Sequence, residues 1–149
     1  MSKEIKLVRF DWAIKNLLRD KSNFVILEGF LSELLNQTIQ IIEILESESN
    51  KKDKEEKLNR VDLLVKLQKG ELVIIEVQNN DKYDYLQRIL YGVSKTISEN
   101  LKMGKAYKSV KKVISVSIVY FDLGHGTDYV YHGTTNFIGI HDNDKLKLS

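Results

Sequence analysis

Two short apolar runs on either side of a tight turn constrain the fold of this chain more than any other feature. They lie between Arg60 and Asn79, and the turn falls at Lys69 and Gly70. Runs of this length, rich in Val, Leu and Ile and separated by a glycine turn, predict the two strands of a β-hairpin. We therefore expect the rest of the chain to be organised around this hairpin.

Three polar residues stand out in the two apolar strands. Asp62 stands in the first strand, and Glu76 and Gln78 stand in the second, each beside Val, Leu or Ile. A carboxylate is seldom left among buried aliphatic side chains unless a partner or a metal ion holds it there. These three residues therefore mark a candidate site.

The length of the turn decides whether the two acids can meet. A two-residue loop, 69–70, would set Leu63 against Glu76 and send Asp62 to the opposite face of the hairpin. A three-residue loop, 68–70, places its glycine at the left-handed position that such loops favour and sets Asp62 directly opposite Glu76. A bulge would have the same effect. We predict the register that brings the acids together.

Asp62 followed by the run from Glu76 to Gln78 (EVQ) on the next strand resembles the motif of the PD-(D/E)XK nucleases. Within that superfamily the chain resembles the Rpn-type recombination-promoting nucleases and transposases, over roughly residues 8 to 121. The bare D…ExQ pattern is weak, and the ordered set of features is more specific. The narrower resemblance rests on the opening run 10–15 (FDWAIK), the IEVQ run, and a helix that carries Arg88, Leu90 and Tyr91.

The order of predicted elements, a leading helix followed by βββ-helix-β, indicates an α/β domain with a mixed β-sheet. The resemblance implies a restriction-endonuclease-like core, with four to five strands flanked by α-helices and the leading helices packed on the sheet. We expect a single domain over residues 1–149, with its core at about 8–121 and a tail that frays after residue 140. The predicted helices are 12–18, 20–36 and 81–103, and the strands beside the hairpin are 38–45, 113–121 and an edge strand at 128–132.

The helix after the hairpin carries two lines of side chains. Its apolar line predicts the face that packs on the sheet. Gln87 and Tyr91, one turn apart in the second line, resemble the QxxxY motif that several nuclease branches place over the active site. The alternative is that Tyr91 is a half-buried core aromatic and Gln87 its surface neighbour. The apolar line consists of Leu86, Leu90, Val93, Ile97 and Leu101.

Glu28 falls inside the apolar stripe of the helix at 20–36. One interpretation is a border residue that extends to solvent or pairs with a lysine. The other comes from the resemblance, since the first core helix of the family often supplies an acid to the metal site.

The resemblance implies a Mg²⁺ (or Mn²⁺) site. Its ligands would be the carboxylates of Asp62 and Glu76 and the backbone carbonyl of Val77, with Glu28 binding directly or through water. Val61 stands where the motif has proline, and Gln78 stands where it has lysine. Glutamine can orient water by hydrogen bonding but brings no charge and cannot act as a base.

The amino-acid composition limits which binding partners and metal sites the chain can have. The chain has no cysteine, so it has no disulfide or thiolate metal site, and we expect a cytoplasmic protein with no membrane partner. The net charge of +2 does not by itself imply a nucleic acid. The resemblance implies that the binding partner is DNA. It leaves undecided whether the chain forms a homodimer. Candidate phosphate contacts are Lys15, Arg88 and a lysine cluster. The alternative for the cluster is that it is only a solvated helix end and loop. The cluster consists of Lys102, Lys105, Lys108, Lys111 and Lys112.

Three functions remain open from the sequence. The first is a metal-dependent DNA endonuclease linked to recombination or transposition. The second is a catalytically degenerate nuclease fold that acts as a nucleic-acid-binding or protein-interaction module. The third is a non-enzymatic α/β domain in which Asp62 and Glu76 pair with Lys66 or Arg88.

Overall fold

The computed structural model of the chain describes residues 24–45, 63–78, 84–101, 111–122 and 126–146. Two helices and six strands occur in these ranges. None of the described helices is long and apolar enough to cross a lipid bilayer. In chain order the elements are α1 (Phe24–Leu35), β1 (Ile41–Leu45), β2 (Leu63–Leu67), β3 (Leu72–Gln78), α2 (Tyr85–Asn100), β4 (Val113–Val119), β5 (Phe137–Ile138) and β6 (Lys145–Leu146).

The main sheet has four strands in the order β1-β2-β3-β4. The first three strands pair antiparallel, whereas β3 and β4 pair parallel. Parallel strands need a long crossover connection, and α2 lies in the segment that joins them. The sheet is therefore mixed, and the predicted α/β class with a mixed β-sheet is confirmed.

The hairpin turn has the predicted three-residue form. The N–H of Leu67 donates to the carbonyl of Glu71 at 2.9 Å, which closes a loop of residues 68–70. Gly70 has a φ of 83°, a left-handed conformation that glycine adopts without steric cost. The described ladder ends with Leu63 opposite Ile75, the register that the three-residue loop demands.

The sheet is covered on both faces. On one face, Leu27 and Leu31 of α1 are buried against strand residues that include Val65, Val73 and Ile75. On the other face, Val93 of α2 packs against a cluster of buried leucine and isoleucine side chains. Consecutive residues of a strand point to opposite faces, so the apolar runs of β2 and β3 supply both sides of the core. The cluster under α2 is formed by Leu64, Leu72 and Ile74.

The face that α2 turns to the sheet differs from the predicted one. Leu86 and Leu90 are 61% and 68% exposed, whereas Tyr85 and Thr96 are buried. The two buried residues are eleven positions apart, or about three helical turns, so they share one side of the helix. Val93 packs on the sheet as predicted. The expectation that Leu86 and Leu90 pack there is wrong, because the helix is rotated by about one residue.

The predicted strand at 38–45 begins only at Ile41. Helix α1 ends at Leu35, and Asn36 follows with a φ of 49°. The N–H of Ile39 then donates to the hydroxyl of Ser32 at 2.9 Å. The residues before Ile41 therefore form the connection back from the helix.

The C-terminal part forms a small separate ribbon in which β5 pairs antiparallel with β6. The side chains of both strands are exposed. The edge strand predicted at 128–132 is wrong, because Asp128 accepts hydrogen bonds from the N–H groups of Tyr129 and Val130 and holds a turn there. Residues 141–146 differ from the frayed tail that we expected, since they lead into and form β6.

Candidate active site at the open end of the hairpin

Glu76 lies near the end of β3, on the face that α2 covers. The side chains of Leu72 and Ile74 are buried in the cluster on this face, and alternation along the strand puts Glu76 and Gln78 on the same side. Both polar side chains are only partly buried, unlike the apolar residues before them. Glu76 therefore sits where the buried part of this face gives way to solvent.

Asp62, the predicted partner of Glu76, falls outside the described residues. The last described rung of the hairpin joins Leu63 and Ile75. One further rung of the same ladder would join positions 62 and 76, whose side chains would then share a face. The hairpin register is thus confirmed up to this rung, and the meeting of the two acids stays a prediction.

On the other side of Glu76, the partner strand contributes a serine. Ser117 of β4 is the residue paired with Glu76 in the parallel ladder. Its hydroxyl oxygen is buried and has no hydrogen-bond partner among the described residues. A buried hydroxyl left in this state costs about 1–3 kcal/mol. Sequence reasoning missed Ser117, and the only signal was the alternation of serines with apolar residues in the β4 run.

Arg88 lies over the same part of the sheet. Tyr85, at the start of α2, makes an edge-to-face contact with Phe121, with ring centroids 5.5 Å apart. Two turns further along, Val93 packs against the opposite end of β3. Arg88 is half-buried between these two contacts. The predicted phosphate contact therefore lies on the face of the sheet that carries Glu76.

Val77 and Gln78 complete the motif on β3. The side chain of Val77 is buried, as its position on the α1 face of the strand requires. The backbone carbonyl of Gln78 accepts a hydrogen bond from Tyr120 at 3.0 Å, which extends the parallel ladder beyond β4. The side chain of Gln78 lies two residues beyond Glu76, or about 7 Å along the strand.

Gln87 and Tyr91 do not face the sheet. Both are exposed, and the side chain of Tyr91 is 51% exposed. Tyr91 is six residues after Tyr85, which places it about 120° around the helix from the buried line. The structure thus does not bring the QxxxY pair over Glu76, and Tyr91 belongs to neither described core cluster.

Glu28 is also separated from Glu76. Its carboxylate accepts a hydrogen bond of 2.7 Å from the backbone N–H of Ile41, at the start of β1. Ile41 pairs with Leu67 beside the hairpin turn, and from there to Glu76 is about 16 Å along the strands. Helix α1 also packs on the opposite face of the sheet. The structure therefore does not bring Glu28 to the predicted metal site.

The described lysines of the basic cluster lie at the turn end of the sheet. The Nζ of Lys112 is 3.5 Å from a carboxylate oxygen of Glu71, and the side chain of Lys111 lies beside Gly70. Lys112 is about 16 Å and Lys111 about 20 Å from Glu76 along the strands. The remaining predicted phosphate contacts fall outside the described residues: Lys15, Lys102, Lys105 and Lys108.

The donor atoms at this end of the hairpin suit a hard divalent cation. In the described ranges, no group of three or more His, Asp or Glu residues comes together as a metal site. The oxygen-bearing groups at this end include the Glu76 carboxylate, the Val77 carbonyl and the Gln78 amide. Mg²⁺ prefers oxygen ligands and retains several waters. The Ser117 hydroxyl, paired with Glu76 across the strands, is buried without a hydrogen-bond partner among the described residues. A polar ligand bound at this site would be consistent with that. The residues present therefore fit the implied ion, provided that Asp62 supplies a second carboxylate.

Comparison with known proteins adds one match. A family model described as "PD-(D/E)XK nuclease family transposase" matches residues 8–148. Comparisons with curated proteins and with solved structures found no match. The matched region includes the hairpin, the β4 strand and the C-terminal ribbon, so it extends beyond the 8–121 core that we predicted.

Proposed function

The chain belongs to the PD-(D/E)XK nuclease family transposases, and from this premise we propose that it is a metal-dependent endonuclease that cleaves DNA in recombination or transposition. The observation that carries the proposal is the hairpin register. The described ladder ends with Leu63 opposite Ile75, so one further rung of the same ladder would pair Asp62 with Glu76. A one-residue slip would have separated the two acids.

In this register the two carboxylates would be close enough to hold one cation. Directly opposed residues of an antiparallel pair have Cβ atoms about 4.5–5.5 Å apart. We propose that Asp62 and Glu76 bind the ion with the backbone carbonyl of Val77. A bound divalent cation would lower the pKa of its water and neutralise charge on the phosphate oxygens.

Two further residues would act on the substrate. Gln78 would orient the attacking water and a phosphate oxygen through its amide, without accepting a proton. Arg88 would contact a phosphate from α2, because it is half-buried on the face that carries Glu76. The loss of the lysine charge at position 78 predicts slow cleavage, since each 1.36 kcal/mol of lost stabilisation is about tenfold in rate.

Plasmid nicking with Mg²⁺ or Mn²⁺, with and without EDTA, tests the proposal. We expect cleavage by the wild-type chain to be lost in EDTA. Asp62→Asn and Glu76→Gln should each reduce the rate about 100-fold or more, equivalent to about 2.7 kcal/mol of transition-state stabilisation. Both substitutions keep the size of the side chain and remove only the charge.

Glu71→Gln is the matched control. Glu71 directly precedes β3, and its ion pair with Lys112 is at the surface, so the nicking rate should not change. Equal cleavage by wild type, Asp62→Asn and Glu76→Gln would refute the proposal. So would cleavage that persists in EDTA.

A second candidate is a degenerate nuclease fold that binds nucleic acid without cutting it. Gln78 in the place of lysine favours it, as does the separation of Glu28 from Glu76. Gel shifts of DNA in Ca²⁺, with no product in Mg²⁺ or Mn²⁺, would support this candidate.

In a non-enzymatic domain, Glu76 would form an ion pair with Lys66 or Arg88, and Lys66 is the less well placed of the two. It pairs with Leu72, four residues from Glu76, which is about 13 Å along the strand. Arg88 therefore remains the basic residue to test for a structural ion pair with Glu76. A wild-type chain that neither nicks nor binds DNA, together with an Arg88→Ala variant that unfolds more readily, would favour this function.

A further inference from the structure

Ser117 has two properties that its neighbours on β4 do not share. The parallel ladder pairs it with Glu76, and its hydroxyl oxygen is buried without a hydrogen-bond partner in the part of the chain that the structure describes. Paired residues of neighbouring strands share a face and lie about 4.8 Å apart. The hydroxyl is therefore within reach of a glutamate side chain on the adjacent strand.

A buried polar atom without a partner calls for a physical explanation. Packing does not supply one, because alanine would fill the same position on the strand without the polar atom. Comparison with Ser115 also indicates that the position of Ser117 beside Glu76 is what sets it apart. Ser115 lies two residues earlier on the same face, but its paired residue is the apolar Ile74. Of the two serines, only Ser117 has a carboxylate as its strand neighbour.

We propose that Ser117 is a positioning residue for Glu76, an inference that rests on the proposed cation site. When a cation is bound by one carboxylate oxygen of Glu76, the Ser117 hydroxyl donates a hydrogen bond to the other oxygen. This contact fixes the orientation of the carboxylate, as groups behind metal ligands commonly do. The hydroxyl then gains the partner that it lacks without the ion.

The proposal predicts opposite effects of Ser117→Ala in the two states of the protein. In EDTA the full-length variant should unfold at the same denaturant concentration as wild type, or at a higher one, because only an unpartnered hydroxyl is removed. Its affinity for Mn²⁺, measured by calorimetric titration without DNA, should fall by about 10-fold or more. A purely structural serine would lose stability in EDTA and would leave the cation affinity unchanged.

Three variants complete the experiment. Ser115→Ala, the matched control, should keep the wild-type Mn²⁺ affinity, and Ser117→Thr should keep it because the hydroxyl is retained. Glu76→Gln should abolish Mn²⁺ binding. Ser117→Ala with wild-type affinity, alongside loss of binding in Glu76→Gln, overturns the role of Ser117 and leaves the proposed function intact. Wild type that binds Mn²⁺ no better than Glu76→Gln overturns the proposed function itself.

Discussion

The two ends of the hairpin differ in whether their polar side chains have partners within the protein. At the turn end, Glu28 accepts a backbone hydrogen bond from Ile41, and Glu71 forms an ion pair with Lys112. At the open end, Glu76 lies beside a buried serine hydroxyl that has no partner among the described residues. Polar groups at the turn end are thus satisfied within the protein and serve its structure. At the open end, the Ser117 hydroxyl keeps a hydrogen-bonding capacity that no described residue uses, as groups in binding sites often do.

Glu28→Ala tests the structural role of the turn end and should have the largest effect there. It removes a 2.7 Å hydrogen bond from a carboxylate to the first residue of β1. We expect the free energy of unfolding to fall by about 1.5–3 kcal/mol, the range for hydrogen bonds to charged groups, measured by urea denaturation. The nicking rate of the folded variant should stay at the wild-type value. A specific loss of cleavage would instead place Glu28 in the active site.

Gly70→Ala tests the turn that sets the register. The φ of 83° is unfavourable for alanine, and a Cβ there would make only ordinary contact with Lys111. We expect a loss of about 1–2 kcal/mol in the free energy of unfolding, from the backbone alone.

Gly29→Ala is the control for this substitution. Gly29 is in α1, has no positive φ and has open space around a Cβ, so alanine should raise the free energy of unfolding by about 0.5–1 kcal/mol. Equal effects of the two substitutions would show that the turn does not depend on a left-handed glycine.

Lys112→Ala should have the smallest effect. Its ion pair with Glu71 spans 3.5 Å, but the lysine side chain is 65% exposed. Exposed pairs contribute about 0.2–1 kcal/mol. We expect a change in unfolding free energy within that range and no change in nicking. A large loss of DNA binding in a gel shift would extend the substrate-binding surface to the turn end.

The helix α2 shows where sequence periodicity stops being sufficient. Its apolar residues recur at spacings of three and four, and Val93 does pack on the sheet. Leu86 and Leu90 nevertheless face solvent, because Tyr85 takes the position against Phe121 and sets the rotation of the helix. Periodicity identifies a helix with an apolar side, but small rotations are decided by the side chains that it meets.

The hairpin and its register follow from the local sequence. Loop length and the conformation available to Gly70 are properties of adjacent residues, so the pairing of Leu63 with Ile75 follows from them. The order of strands and helices, and with it the fold class, followed from local patterns in the same way.

The identity of the distant residues that flank Glu76 depends on how the whole chain folds. Ser117 is paired with Glu76 in the parallel β3–β4 ladder, although 40 residues, including helix α2, separate them in the sequence. No local sequence pattern encodes that register. The same holds for Glu28, whose partner is the backbone N–H of a strand that follows the helix. A carboxylate in an apolar run is visible in sequence, but what satisfies it depends on contacts that form only when the chain folds.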